Sequence, residues 1–181
     1  MSRQTKTKKL VYMGVLLALG WVLPFLTGQV PRIGNMLLPM HLPVFLCGYI
    51  CGGPAGFLLG FLLPISRSFI FSMPPLMPNA LAMAFELACY GLVSGLLFGV
   101  FKKKLHNSIV SIYGSLLSAM IVGRIVWGIA AYVIYQAMGN HFTWQIFFLQ
   151  GFKNAVLGII LQLILVPVLV IALQKSGAME E

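Results

Sequence analysis

No charged side chain interrupts the run from Leu10 to Leu26, and further stretches almost as apolar follow it to the end of the chain. A helix needs about 17–25 mostly apolar residues to cross the hydrocarbon core of a bilayer. Within lipid, every backbone N–H and C=O must find its partner inside the protein, which leaves only helices and closed barrels. Runs this long, without period-2 alternation, specify helices. Charged residues make up 8% of the 181 residues, against about 25% in a soluble domain, so the chain could not cover itself with polar surface in water. The expected fold is all-α: a polytopic membrane protein forming one integral membrane domain over residues 1–181.

Turn chemistry divides the chain into six helices, expected at about 10–26, 39–51, 55–71, 79–101, 108–138 and 143–174. Between the first two lie Gly28, Pro31, Arg32, Gly34 and Asn35, and Gly52-Gly53-Pro54 closes the short second helix. The segment Ser72-Met73-Pro74-Pro75-Leu76-Met77-Pro78 is too rich in proline to be helical. Gly139-Asn140-His141-Phe142 makes the last turn.

The net charge of +9 is distributed as membrane flanks. Arg3, Lys6, Lys8 and Lys9 precede the first span, and Lys102, Lys103 and Lys104 share one short loop with His106. With six spans, these clusters and Lys175 fall on one side. Cytoplasmic flanks favour Lys and Arg, so both termini are expected in the cytoplasm, with the first helix retained rather than cleaved. The same placement argues against nucleic acid, since no basic face is interleaved with aromatics. The opposite loops, 27–38, 72–78 and 139–143, are apolar and rich in Pro, Met and aromatics, as segments covering a cavity mouth would be.

Ionisable groups within spans are costly and therefore point to function. Arg67, Glu86, Lys153 and Arg124 are expected about 6, 11, 15 and 20 Å below the outer helix ends, at about 1.5 Å per residue. His41 and Asn79 sit near the outer ends of their helices, and Asn154 and Gln162 line the last one. This equipment suggests a pocket open to the outside. Three cations face one carboxylate there, so an anionic ligand would complete the balance. Snorkelling of Arg67 and bonding of Arg124 to helix-end carbonyls account for the same residues without a ligand.

Little chemistry beyond binding is encoded. The chain has no aspartate, no H-E-x-x-H, no nucleophile elbow and no phosphate loop, so no cofactor is expected and energy for transport must come from elsewhere. Cys47, Cys51 and Cys89 lack a fourth ligand for zinc and read as buried apolar thiols. Gly52, Gly56 and Gly60 recur every four residues, as do Gly91, Gly95 and Gly99, and Gly14 with Ala18 has the same spacing. Small residues at this interval let helices approach closely, within the chain or against a partner.

Pro39-Met40-His41-Leu42-Pro43 running to Gly48, Gly52, Gly53 and Pro54, and Ser72-Met73-Pro74-Pro75-Leu76 followed by Asn79 to Gly95, resemble the substrate-binding S components of energy-coupling-factor vitamin transporters. The resemblance covers the whole chain at the level of architecture. It implies a multi-pass protein of a bacterial plasma membrane that binds a small water-soluble vitamin beneath gating outer loops. It further implies partners: a transmembrane scaffold (T) component and two cytoplasmic ATPases. Many members carry Ala-x-x-x-Ala on the first helix for docking. Here Gly14 and Ala18 match, with a departure at the first position. Candidate substrate contacts are Asn79, Glu86, Arg124, Lys153, Asn154, Arg67 and His41. The cationic surplus favours a carboxylate-bearing vitamin such as pantothenate, and a pyridoxine-type vitamin or a queuosine precursor stays open. Two other classes are weighed: a membrane-embedded enzyme built on Glu86 and His41, and a structural subunit without a ligand.

Overall fold

A computed structural model describes residues 6–27, 37–105, 107–177 and 179. Most of the first outer loop, with Gly28, Pro31, Arg32, Gly34 and Asn35, lies outside these residues, as do Arg3 and His106. The described residues form helices joined by short turns: α1 Lys6–Thr27, α2 His41–Cys51, α3 Gly53–Phe71, α4 Leu81–Leu105, α5 Ser108–Ala137, α6 Trp144–Gly151 and α7 Val156–Lys175. No strand occurs among them. Five segments are long and apolar enough to cross a membrane: Lys6–Leu26, Gly53–Phe71, Leu76–Leu105, Ser108–Ala137 and Trp144–Lys175. The chain is therefore a multi-pass membrane protein.

α2 is the exception in length. Its 11 residues rise about 16 Å, roughly half of a 30 Å hydrocarbon core. Nine of the eleven are buried, so α2 is enclosed by other helices rather than facing lipid. α1, α3 and α4 surround it, with α7 on the remaining side.

Glycines set how closely these helices meet. A side chain on Gly91 would overlap the backbone of Gly56, and one on Gly60 would overlap the backbone of Leu87. A Cβ on Gly48 would stand 2.6 Å from the Gly91 carbonyl oxygen, and one on Gly95 would stand 2.5 Å from that of Gly48. α2, α3 and α4 thus touch backbone to backbone, the close approach that small residues permit in lipid. The other two regularly spaced glycines act differently. Gly52 adopts φ +94° in the tight α2–α3 turn, where a side chain would be strained. Gly99 faces open space, with nothing within 4 Å of where its Cβ would stand.

The connection between α3 and α4 is not α-helical, as its prolines imply, and Met77 is extended at φ −117°, ψ 138°. Ser72 takes a left-handed conformation, φ 56°, that ends α3. Leu76–Ala80 then forms a wide turn closed by Ala80 N donating to the Pro75 carbonyl at 2.9 Å. Both Met73-Pro74 and Met77-Pro78 are cis.

The helix expected over 143–174 is broken in two. Phe152 leaves helical geometry at φ −123°, ψ −62°, and a single 3₁₀ turn, Lys153–Ala155, leads into α7. The cause lies on α5. Phe147 packs against Gly128 and stacks on Trp127 at 5.9 Å, which draws α6 onto the C-terminal half of α5. Gly151 also passes 3.3 Å from the Trp127 ring and 3.4 Å from Arg124 Cδ, measured from where a Cβ would stand. A straight helix could not keep these contacts and still descend beside α2.

Candidate functional site

Glu86 and Arg124 meet inside the protein. Glu86 is on α4 and 2% exposed, Arg124 is on α5 and 9% exposed by side chain, and Arg124 Nη1 lies 2.8 Å from Glu86 Oε1. Neither charge could be buried there alone, because an isolated ion in low dielectric costs several kcal/mol. Together they form a neutral, hydrogen-bonded pair.

Tyr90, one turn along α4 from Glu86, donates its hydroxyl to the same Oε1 at 2.8 Å. The ring reaches this position because residue 123 is glycine. Any side chain there would overlap the Tyr90 ring. Phe45 stacks on the opposite side of Tyr90 at 5.0 Å, and His41 packs against it at 5.4 Å. His41 is 1% exposed, and neither ring nitrogen has a hydrogen-bond partner. An imidazole normally uses both nitrogens when buried. A polar line therefore runs from His41 through Tyr90 and Glu86 to Arg124.

Aromatic residues continue the line toward the turn between α5 and α6. Arg124 Cζ lies 5.8 Å from the Trp127 ring centroid, within reach of a cation–π attraction. Trp127 in turn contacts Phe142 at 6.0 Å and Phe147 at 5.9 Å. The turn that precedes α6 and α6 itself thus pack on Trp127, the ring beside Arg124. The chemistry these side chains offer is ion pairing and hydrogen bonding beside aromatic rings. No group of three or more His, Cys, Asp or Glu side chains that could hold a metal ion occurs among the described residues.

The other residues singled out in the sequence do not all converge here. Arg67 points to α1: its Nη1 donates to the Trp21 carbonyl at 2.6 Å, with the guanidinium over Phe25 at 4.9 Å and Phe71 at 5.4 Å. Trp21 Nε1 donates to Ser66 at 3.0 Å beside it, so this arginine fastens α1 to α3. Lys153 and Asn154 are exposed on the 3₁₀ turn, and Asn79 is exposed on the wide turn before α4. Gln162 is buried, with Nε2 lacking a partner. The three cations are therefore dispersed: Arg124 is matched by Glu86, Arg67 is bound to a carbonyl, and Lys153 lies at the surface.

Tyr90, Gly123 and Trp127 do not stand out in the sequence. Their signal is spacing alone: Tyr90 follows Glu86 by four residues, and Trp127 follows Arg124 by three, so each shares a helix face with its charged neighbour.

Two other features bear on partners. α1 is the least enclosed long helix, with 11% of its most apolar stretch buried. Gly14 and Ala18 are exposed on it, and nothing lies within 4 Å of where a Gly14 side chain would stand. In the opposite half of the bundle, Tyr49 bonds Ser115 Oγ at 3.0 Å and donates to the Ile112 carbonyl at 3.2 Å, a satisfied pair of contacts that ties α2 to α5.

Compared with known proteins, residues 8–170 match the model of a family described as ECF transporter, substrate-specific component. No curated protein and no solved structure matches the chain.

Proposed function

The chain belongs to the substrate-specific components of ECF transporters, and on that premise we propose that it captures a small water-soluble vitamin, with pantothenate as the first candidate, beneath its outer turns. As a member of that family it is a transport subunit, and catalysis by Glu86 and His41 has no support beyond their proximity. Arg124 is the observation that favours a carboxylate. It is buried under an aromatic cover, and its partner is a side-chain carboxylate that a ligand acid can replace or join. Bidentate capture of a carboxylate is what a guanidinium does best.

In this reading His41 contributes from below the pair, and Asn79, Lys153 and Asn154 supply hydrogen bonds as the outer segments close over the ligand. Arg67 acts at a distance by holding α1. Energy comes from a transmembrane scaffold component and two ATPases, with the exposed Gly14–Ala18 face of α1 as the docking surface.

Binding to the purified chain in detergent tests the substrate. Trp127 is the natural reporter, because its ring lies beside Arg124. Pantothenate should change its emission saturably, Arg124→Ala should abolish the change, and Glu86→Gln should preserve it, since the ligand carboxylate then becomes the sole anion beside Arg124. A folded chain that ignores pantothenate but binds pyridoxine or a queuosine precursor would retire the carboxylate assignment and leave the family membership intact.

A further inference from the structure

Two helices measure where the joint between α6 and α7 lies. α5 and α7 are level at one end, where Ser108 Oγ donates to Gln174 Oε1 at 2.8 Å, next to Lys175. They are joined again through α6, where Gly151 approaches the Trp127 ring. Between these levels the chain climbs about 28 Å along α5 and about 27 Å along α7, at about 1.5 Å per residue. A hydrocarbon core is about 30 Å thick. With the lysine-bearing ends of α4 and α7 at one boundary of the core, the α6–α7 joint stands at the other. Lys153, exposed on that joint, is therefore at the boundary, and not about 15 Å inside it as an unbroken last helix would have it.

α6 has the side chains for this position. Phe147 and Gly151 turn toward α5. Trp144, Phe148 and Phe152 follow at intervals of four and are all exposed, Trp144 to 76%, with Phe148 and Phe152 stacked at 5.7 Å. Aromatic side chains of this kind gather where membrane meets water. A lysine beside them lays its aliphatic stem along apolar surface and lifts its ammonium to the headgroups. The chain offers that ammonium no acid of its own. Its three carboxylate side chains are Glu86, Glu180 and Glu181. Glu86 is engaged by Arg124, and the other two follow Lys175, beyond the far end of α7.

We infer that α6 lies in the membrane boundary as an interfacial segment and that Lys153 binds the phosphate of an anionic phospholipid whose acyl chain rests along Trp144, Phe148 and Phe152. Charge selects the occupant. A zwitterionic headgroup carries its own cation beside the phosphate, whereas an anionic one leaves the phosphate to the lysine. The inference does not depend on which vitamin binds at Arg124. It describes the unliganded chain, so a hydrogen bond from Lys153 to an enclosed ligand requires the phosphate to be released first.

The test uses the full chain in nanodiscs of phosphatidylcholine with a minority of phosphatidylglycerol, with bromine placed on the acyl chains of one lipid or the other. Bromine quenches tryptophan near contact, and the difference between the parent and Trp144→Phe isolates Trp144. Brominated phosphatidylglycerol should quench Trp144 as if enriched about fivefold over its share of the lipid, the factor that about 1 kcal/mol for one lysine at the surface supplies. Lys153→Arg should keep the enrichment, and Lys153→Gln should remove it without lowering the melting temperature. Lys103→Gln, at the other boundary, should leave it unchanged. Bromines near the headgroup should quench Trp144 more than bromines near the chain ends. Equal quenching by the two lipids in the parent, enrichment that survives Lys153→Gln, or stronger quenching from the deep bromines overturns the inference. Loss of the enrichment on adding inorganic phosphate at constant ionic strength would make the occupant a soluble anion and overturn the lipid assignment.

Discussion

Replacing Glu86 and Arg124 singly and together gives the sharpest test of how this interior is held. In Glu86→Gln the guanidinium stays 9% exposed without its counter-ion, and breaking a buried pair in this way costs about 3–5 kcal/mol. Tyr90 keeps an acceptor in the glutamine oxygen, but loses the charge that makes its hydrogen bond worth about 1.5–3 kcal/mol. Arg124→Met strands the carboxylate instead and should cost a similar amount. The double variant removes both charges, and a well-packed apolar substitute for a buried pair is often neutral. Its loss should therefore be near that of Tyr90's weakened bond, about 1–2 kcal/mol, so the two sites should couple by several kcal/mol. The assay is reversible unfolding in mixed micelles followed by tryptophan emission, with the cycle closed at one detergent composition. Additive losses in the double variant would refute the reasoning, because they would mean that each charge is stabilised by something other than its partner.

Three further outcomes follow from the packing. Gly123→Ala puts a methyl group into the Tyr90 ring and should destabilise by about 1–3 kcal/mol through overpacking, read as a lower melting temperature in detergent. Arg67→Lys replaces a planar group resting against the Phe25 and Phe71 rings with a point charge. Trp21 emission should shift as α1 loosens from α3, with Trp127 emission unchanged. Gly14→Leu meets open space, so melting should stay within about 0.5 kcal/mol of the parent while recovery of the scaffold component in pull-downs falls. A drop in melting instead would place Gly14 in the chain's own packing.

Much of the architecture is legible because lipid permits so little else. The apolar runs mark helices that the structure contains, and Gly52 makes the turn between α2 and α3. Lys102, Lys103 and Lys104, expected in a loop, instead form the last turn of α4, because nothing in Phe101 to Leu105 stops a helix and cations suit its C-terminal end. The break at Phe152 is not legible, because nothing in Gln150-Gly151-Phe152-Lys153 forbids a helix. It arises from a contact distant in sequence, Phe147 against Gly128 on α5. The same limit applies to the site. Sequence gives the number of buried charges but not their pairing, and the surplus of cations in composition resolves into three cations in three places. Glu86 and Arg124 meet because helices α4 and α5 cross where Gly123 clears a path for Tyr90.

The backbone contacts among α2, α3 and α4 have a mechanical consequence. Helices that slide past one another do so over an intervening layer of side chains that change rotamer to absorb the displacement. At Gly48, Gly56, Gly60, Gly91 and Gly95 that layer is absent, and each backbone abuts another chain segment directly. Shear between these three helices would have to lift the backbones apart and leave voids in lipid. They are expected to turn in the bilayer as one stiff body. The compliance needed to open and close a site then resides in the elements that pack through longer side chains or few contacts: α1, fastened at its outer end by Arg67, and the jointed pair α6 and α7.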